Sequence, residues 1–563
     1  MTENRVIIEP LGPDSFALSF PYDDNLVAMV RRLGNRRWNK RAKRWEIGIC
    51  HLGEVAQGFG VDPKTLDRKL WRAYQMIRIR GQRARIHCGP VLAHIEGDGL
   101  PFHDIDQATS FLVPGHQFMP RFVKGEWDGR RHLFDRRKHV FPAGLVDRVV
   151  SVLQGHGVDC CVSHEPEAEY LDVEAVTPDL VPRDYQAECV EKALEGRRGV
   201  LEMATGAGKT AVAGLIIQRL GRPAMFFVHT RDLLHQTRRA FEAQLGLPIG
   251  QVGDGLIDIR AITVATIQTC ARALGIELDA PPDEEVKLEK DKTDVQGHRV
   301  ELLKALRDVP VVFFDECHHL PADCAYSLAM QTAGAHYRFG LSATPYRDDR
   351  QDMLLEAALG PKLYRANASL LIQKGFLVPP RIRFHAVPAF KVVTGRPDYQ
   401  EIFQHYIVNN KRRNGMIAEQ ARGLAEQGRS VLILVSQVAH GEALRELLPD
   451  APLVQGSDSA SHRHHIFREL HDRRRLIVIA TTLADEGLDI PSLRAVVLAS
   501  GGKSETRALQ RVGRALRTAP GKTEAIVVDF FDNAPYLKEH SMARLELFRN
   551  EPAFRVETVG FRA

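Results

Sequence analysis

The sequence has few cysteines, and they are spread too widely to hold a fold together. Eight occur in 563 residues, with no CxxC pair and only Cys160-Cys161 adjacent. That pattern excludes a disulfide framework or a Cys-rich zinc site and suits a reducing compartment. No apolar run approaches the roughly 20 residues needed to cross a bilayer, and the polar, acidic start is not a secretory leader. A cytoplasmic protein without a membrane partner is the expectation. Tryptophan is confined to Trp38, Trp45, Trp71 and Trp127, so the N-terminal region reads as a separately assembled unit. Acids are missing from Arg31 to Arg44, a stretch with eight Lys/Arg, whereas residues 151–180 have seven acids and no Lys or Arg. A net charge of +5 therefore conceals a basic N-terminal region, 25 Lys/Arg against 17 acids over residues 1–150. Such a surplus suits contact with phosphates.

Length alone implies several domains, because single cores stop growing well below this size. Residues 1–50 read as strand, helix and strand around Phe16–Phe20, Asn25–Leu33 and Arg44–Gly48. Residues 75–175 read as mixed, with a strand-like alternation at Met76–Arg80 and a helix over Leu145–Leu153. From Val181 onward short apolar runs alternate with helical stretches: Val200–Met203, Met225–Val228, Ile262–Ala265, Val311–Phe314 and Phe339–Ser342. Such runs, bounded by turns, suit central parallel strands covered on both faces. A second series occupies Val431–Val435, Leu476–Ala480, Ala495–Ala499 and Ala525–Val528. The expected fold class is α/β, with two tandem parallel-sheet domains at 176–365 and 401–563 joined by a linker at 366–400. A small α+β N-terminal region, divided into 1–70 and 71–175, precedes them. The charged insertion at 276–310 reads as a solvated loop and helix.

One loop carries chemistry. Met203-Ala-Thr-Gly-Ala-Gly-Lys-Thr210 follows an apolar strand and opens a helical run to Leu220, with Met203 standing where the GxxxxGKT pattern has its first glycine. In that context the backbone N–H groups of Thr205, Gly206, Ala207 and Gly208 face nucleotide phosphates at a helix N-terminus. Lys209 reaches the β/γ-phosphates, and the Thr210 hydroxyl reaches Mg²⁺. The strand Val311–Phe314 ends in Asp315-Glu316, one carboxylate to hold the metal and one to orient an attacking water. Together these pieces predict an NTP hydrolysis site.

Further motifs come in a fixed order. Arg183-Asp-Tyr-Gln186 precedes the loop, and Val228–Gln236, Val264–Thr269, Asp315–His318 and Leu341–Pro345 follow it. Ala480–Pro491 and Gln510-Arg-Val-Gly-Arg-Ala-Leu-Arg517 complete the set. From Val181 to Asp532 the chain resembles the superfamily 2 helicases, whose two motor domains are RecA-like. The resemblance implies that Arg183 and Gln186 read adenine, which makes ATP the nucleotide. It also implies that Gly487 and Asp489 face the nucleotide from the second domain. Arg514 and Arg517 become arginine fingers delivered across the cleft, Gln510 pairs with His318, and Ser342 and Thr344 relay the nucleotide state. Thr230, Arg231, Thr266 and Thr482 match positions that touch the sugar–phosphate backbone, contacts that carry no sequence information. The partner is then DNA, single-stranded, duplex or branched; protein partners are not indicated.

The Asp-Glu-Cys-His box with His319-Leu-Pro321, and Ile407–Asn414, look like those of XPB-type and UvsW-type DNA helicases. Trp127–Phe134 followed by Phe141–Leu145 is similar to the UvsW-type accessory domain. That resemblance implies a 3′→5′ motor on forks, junctions and R-loops in recombination, replication and repair, in a bacterial or phage-infected cell. Phe20-Pro-Tyr22 with Arg36–Trp45 resembles the HARP-type module of annealing helicases. There Arg36, Arg37, Lys40, Arg41, Lys43 and Arg44 would hold phosphates while Trp38 stacks on unpaired bases. The alternative is that Trp38 and Trp45 pack a small core. Two other functional readings stay open: a duplex translocase that anneals strands without net unwinding, and the motor subunit of a restriction complex. Cys317, His229 and His319 read as packed or structural, and His462-Arg-His-His465 as a solvated helix start.

Overall fold

The computed structural model describes residues 6–12, 15–33, 36–62, 65–80, 83–168, 173, 181–276, 297–343, 352–388, 398–481, 492–502, 512–513 and 515–561. Its first unit is a four-stranded sheet in the order Ile7–Pro10, Ser15–Ser19, Arg44–Gly48, Arg36–Asn39. Phe16, Leu18 and Ile47 share one face through the two-residue strand period and are buried against helices Asp24–Arg32 and Leu52–Gly58. The run Met76–Arg80, expected as a strand, is instead the end of the helix Arg68–Arg80. Five alternating residues cannot separate a strand period from a helix face, and the upstream Leu70 docks this helix into the core.

The second unit pairs Asp159–His164, Arg83–Cys88, Leu92–Glu96 and Val140–Pro142 beneath the helix Val146–Gly155. It shares its core with the sheet that follows. One apolar cluster runs from Ile86, Ile95 and Leu153 to Phe227, Phe314 and Leu359. At the seam Gly144 approaches the helix Asp352–Leu359 so closely that an added Cβ would lie 2.0 Å from the Glu356 carbonyl oxygen. Arg148 donates to the Glu356 carboxylate at 2.6 Å beside it.

Two parallel sheets form the rest. The first has the order Leu256–Asp258, Gly250–Gly253, Ile262–Thr266, Ala224–Val228, Val311–Asp315, Tyr337–Ser342, Arg198–Met203, Lys362–Ala366. Only Leu256–Asp258 runs antiparallel. The strand leading to the glycine-rich loop and the strand ending in Asp315 therefore flank a single strand, Tyr337–Ser342, which brings their ends together. The second sheet is Leu453–Val454, Ile477–Thr481, Val431–Val435, Ala495–Leu498, Ala525–Phe531, Pro380–Ala386, Arg555–Val559, all parallel. Both sheets fit the expected α/β class, with strands alternating with helices along the chain.

The stretch 366–400, read as linker, supplies a strand to the second sheet. Pro380–Ala386 sits between Ala525–Phe531 and Arg555–Val559, with Ile382 and Phe384 buried. Its proline hides it from a simple pattern reading, yet a proline is tolerated at the first residue of a strand. Residues 277–296 of the charged insertion lie outside the described residues; Arg299–Asp308 is a helix anchored by buried Leu302 and Leu306. Among the described residues no helix is long and apolar enough to cross a membrane.

Candidate active site

The loop after Arg198–Met203 turns sharply because two glycines take left-handed backbone, Gly206 at φ +86° and Gly208 at φ +81°. The left-handed backbone strains any side chain at either position, and the space is tight. A Cβ on Gly208 would meet Gln186 Nε2 at 2.7 Å, and one on Gly206 would meet Leu377 at 3.2 Å. Helix Lys209–Leu220 starts at once, so its first N–H groups line the same turn as the loop amides. This is the geometry of an anion cradle.

Lys209 Nζ donates to Glu316 Oε1 at 2.5 Å. Burial alone would lower the Lys209 pKa, but the charges of Glu316 and Asp315 outweigh it and hold the ammonium above its ordinary value. Burial pushes the Asp315 carboxyl up to about 6, against the pull of Lys209. Burial acts the same way on Glu316, yet Lys209 and His318 together hold it well below the usual carboxylate range. Two neighbouring carboxyls thus differ in proton affinity. Glu316 takes left-handed backbone, φ +44°, a conformation that strains a non-glycine residue and aims its side chain at Lys209. Ser342 Oγ donates to Glu316 Oε2 at 3.3 Å and lies 3.1 Å from His318 Nδ1. Behind them the rings of His318, His319 and His229 pack in sequence, with centroids 4.1 and 4.7 Å apart. Burial beside His318 lowers the His229 pKa to about 4, which keeps it neutral. Cys317 is buried, and its thiol is pushed well up by burial.

A second wall comes from the helix Asp184–Gly196. Gln186 is held at both ends of its amide: its Oε1 accepts from the Arg183 N–H at 3.0 Å and its Nε2 donates to the Ala207 carbonyl at 3.0 Å. Tyr185 OH donates to the same carbonyl at 2.8 Å. The Arg183 guanidinium lies 4.5 Å from the centre of the Phe376 ring, and Tyr185 meets that ring edge-on. Tyr185 and Phe376 were not singled out from the sequence. Tyr185 lies within the Arg-Asp-Tyr-Gln motif, but Phe376 has no local signal because its partners Arg183 and Tyr185 are far away in sequence.

From the second sheet's side, Leu377 bridges to Arg517 in backbone pairing, and the Val378 N–H donates to the Leu516 carbonyl at 2.8 Å. The Arg517 side chain reaches the loop, its Cγ 3.5 Å from where a Gly206 Cβ would stand. Gly513 comes equally close, since a Cβ there would meet that of Thr205 at 2.6 Å. Burial lowers the Arg517 pKa. Gln510, Arg514, Gly487, Asp489, Thr482 and Thr344 lie outside the described residues.

The expected nucleic-acid contacts differ in setting. Thr230 caps helix Arg231–Leu245, its Oγ1 accepting from the Leu233 N–H, and Arg231 lies 3.4 Å from Asp254. Thr266 is buried, with its hydroxyl 2.7 Å from that of Thr269. In the N-terminal sheet Trp38 and Trp45 face each other across paired strands, centroids 5.1 Å apart. Trp45 packs on the core while Trp38 stays 44% exposed. Arg37, Lys40, Arg41 and Lys43 are exposed around the same turn, whereas Arg36 and Arg44 are half-buried. Ile407–Asn414 turns inward instead. Arg413 makes a buried ion pair with Asp532 at 2.8 Å, and Asn414 joins the Val408 carbonyl to His440. The His462–His465 run opens the helix Ala460–His471 under a Ser459 cap, and its Arg463 reaches Asp232 in the first turn of helix Arg231–Leu245 at 2.6 Å.

A phosphate-type loop, strand-end acids and a second parallel sheet meeting that loop define a two-domain nucleotide-driven motor. The family described as "Type III restriction enzyme, res subunit" matches residues 179–347, and "Helicase conserved C-terminal domain" matches 415–519. "DNA helicase UvsW, N-terminal" matches 91–162. The ATP-dependent DNA helicase uvsW of Enterobacteria phage T4 is 24% identical over 499 residues, 81% of this chain and 95% of that protein. The DNA 3′-5′ translocase XPB2 of Sulfurisphaera tokodaii is 27% identical over 373 residues, covering 60% and 78%. The crystal structure of T4 UvsW aligns with a TM-score of 0.40 at 21% identity, covering 85% of this chain and 99% of the other. The matched helicase models and the UvsW- and XPB-type relatives show an ATP-hydrolysing DNA helicase similar to those enzymes.

Proposed function

We propose that this enzyme is a 3′→5′ DNA helicase or translocase acting on branched DNA, with the following assignment of its residues. ATP phosphates sit on the amides of Thr205 to Gly208, and Lys209 leaves Glu316 to bind them. That exchange frees a carboxylate held in its basic, ionised form to orient the attacking water. Arg183 stacks on adenine, and Gln186 keeps one Oε1 lone pair for the exocyclic amine. Arg517, with Arg514, stabilises charge on the transferring phosphoryl group. Thr210 and Asp315 fit Mg²⁺, because a buried carboxyl pushed up by desolvation is relieved by a cation beside it. Bound there, the ion would neutralise phosphate charge.

The observation that carries this reading is the convergence of Lys209, Glu316 and Arg517 on one glycine loop from three separate elements. Since Arg517 precedes the second sheet's strand Ala525–Phe531 and lies in the second motor region, turnover and domain closure are linked. The basic N-terminal module, with exposed Trp38, and the domain after it supply affinity for junctions. ATPase rates with single strand, duplex, fork, four-way junction, R-loop and RNA test this. Forks and junctions should stimulate most, and deletion of residues 1–150 should remove that preference. Equal stimulation by every DNA, unchanged on deletion, would refute the branched-DNA assignment.

A further inference from the structure

Between the paired strands Ser110–Leu112 and Arg130–His132 the chain makes an excursion that ends in solvent-exposed apolar side chains. Phe118 is 81% exposed, Val123 70% and Met119 39%. The excursion is nevertheless braced by its own contacts. His116 packs edge-on against Phe122 at 4.8 Å and holds the Val113 carbonyl through Nδ1 at 2.9 Å. Gly129, at φ +80°, lets the return strand press against His116 where a Cβ would approach to 2.7 Å. Trp127 donates to the Arg130 carbonyl, and Arg130 donates to Ser110 Oγ at 2.9 Å. His132 lies 2.9 Å from Asp106 and 3.0 Å from Asp128. A braced loop that keeps an aromatic ring in water does not gain stability from it.

Its mounting and charge point to an occupant. Residues 111–138 carry seven Lys/Arg against three acids, with Arg121 and Lys124 beside the exposed apolar tip. The Arg131 guanidinium lies 5.6 Å from the Tyr326 ring, on the helix that follows Asp315-Glu-Cys-His. Below it the shared core and the Gly144 seam fix the whole unit to the first motor sheet. The tip therefore moves with the ATP-binding domain. Exposed aromatic faces flanked by cations are matched by unpaired bases on a phosphate backbone.

We infer that the 113–129 excursion is a strand-separating pin, with Phe118 stacking on the terminal base pair of duplex DNA as the motor draws one strand past it. The inference rests on the DNA-motor reading above. Fork unwinding and ATP consumption by the full chain should be followed together, giving base pairs separated per ATP. Phe118→Ala and Phe118→Ala/Val123→Ala should lower that ratio at least about fivefold, the low end for loss of one base–aromatic stack. Phe118→Trp should restore it. A 2-aminopurine placed at the fork should be quenched by the parent and not by Phe118→Ala. A ratio unchanged by both substitutions, with quenching intact, would overturn the pin while leaving the motor standing. A parent enzyme whose ATPase ignores DNA would instead remove the motor reading, and the pin with it.

Discussion

Lys209 and Glu316 hold each other at 2.5 Å, and each keeps the other charged inside a buried site. Replacing Glu316 by Gln preserves shape but not basicity, so ATP turnover should fall by roughly 10² to 10⁴-fold while nucleotide binding survives. Lys209→Ala should lose both, as equilibrium binding of a fluorescent ATP analogue beside a phosphate-release assay will tell. Arg517→Ala should lower turnover by about 10³ to 10⁵-fold with little change in binding, as expected for an arginine finger. A residue outside the site sets an acid limit. His440 is buried with its Nδ1 unpartnered, and burial lowers its pKa to about 3. The unfolded imidazole titrates near 6.5, so between those values the unfolded chain binds more protons and stability falls as pH falls. The slope is up to about 1.4 kcal/mol per pH unit. Thermal melts at pH 7 and pH 5 should differ less in His440→Gln than in the parent.

Phe376, Leu377 and Val378 form one short segment touching three functional elements: Arg183 and Tyr185, the glycine loop, and the Leu516-Arg517 backbone. Phe376→Ala removes the surface under Arg183, so KM for ATP should rise several-fold while KM for DNA stays near the parent value. Equal rises in both would point to general loosening instead. At the seam with the second N-terminal unit, Gly144→Ala forces a methyl group into the Glu356 and Ala357 carbonyls. Overpacking of this kind costs about 1–3 kcal/mol, read as a lowered denaturation midpoint. Phe141–Leu145 stands out in the sequence as a motif, but its seam with Glu356, like the contacts of Phe376–Val378, depends on distant stretches and is not visible there. Motor strands were legible: Val431–Val435 matches residue for residue, and Ala224–Val228 and Ile262–Thr266 extend the expected runs by one residue. Continuous apolar runs leave little choice of structure there. Pro380–Ala386 and Met76–Arg80 were misread because a proline and a five-residue alternation give ambiguous local signals.

Across the whole molecule, the residues expected to carry ATP chemistry stand out in the sequence because they lie in short motifs at strand ends, whereas exposed surfaces depend on the fold. Trp38 announced itself by composition, yet its half-exposed stack on Trp45 needed the strand register. Phe118 had no such signal, since exposure is a property of the folded chain. The two motor regions meet through Arg517 on the loop and Arg463 on Asp232, so ATP and DNA should each favour the closed arrangement, and each should tighten binding of the other. Phosphate contacts also make DNA affinity fall steeply between low and physiological salt. The most direct test is the steady-state ATPase rate of the full chain with and without forked DNA, alongside Lys209→Ala. A DNA-driven motor should accelerate at least about tenfold with the fork, the size of a modest coupling free energy between sites, and lose all turnover in the variant. A rate indifferent to DNA, or one that survives in Lys209→Ala, would contradict the account.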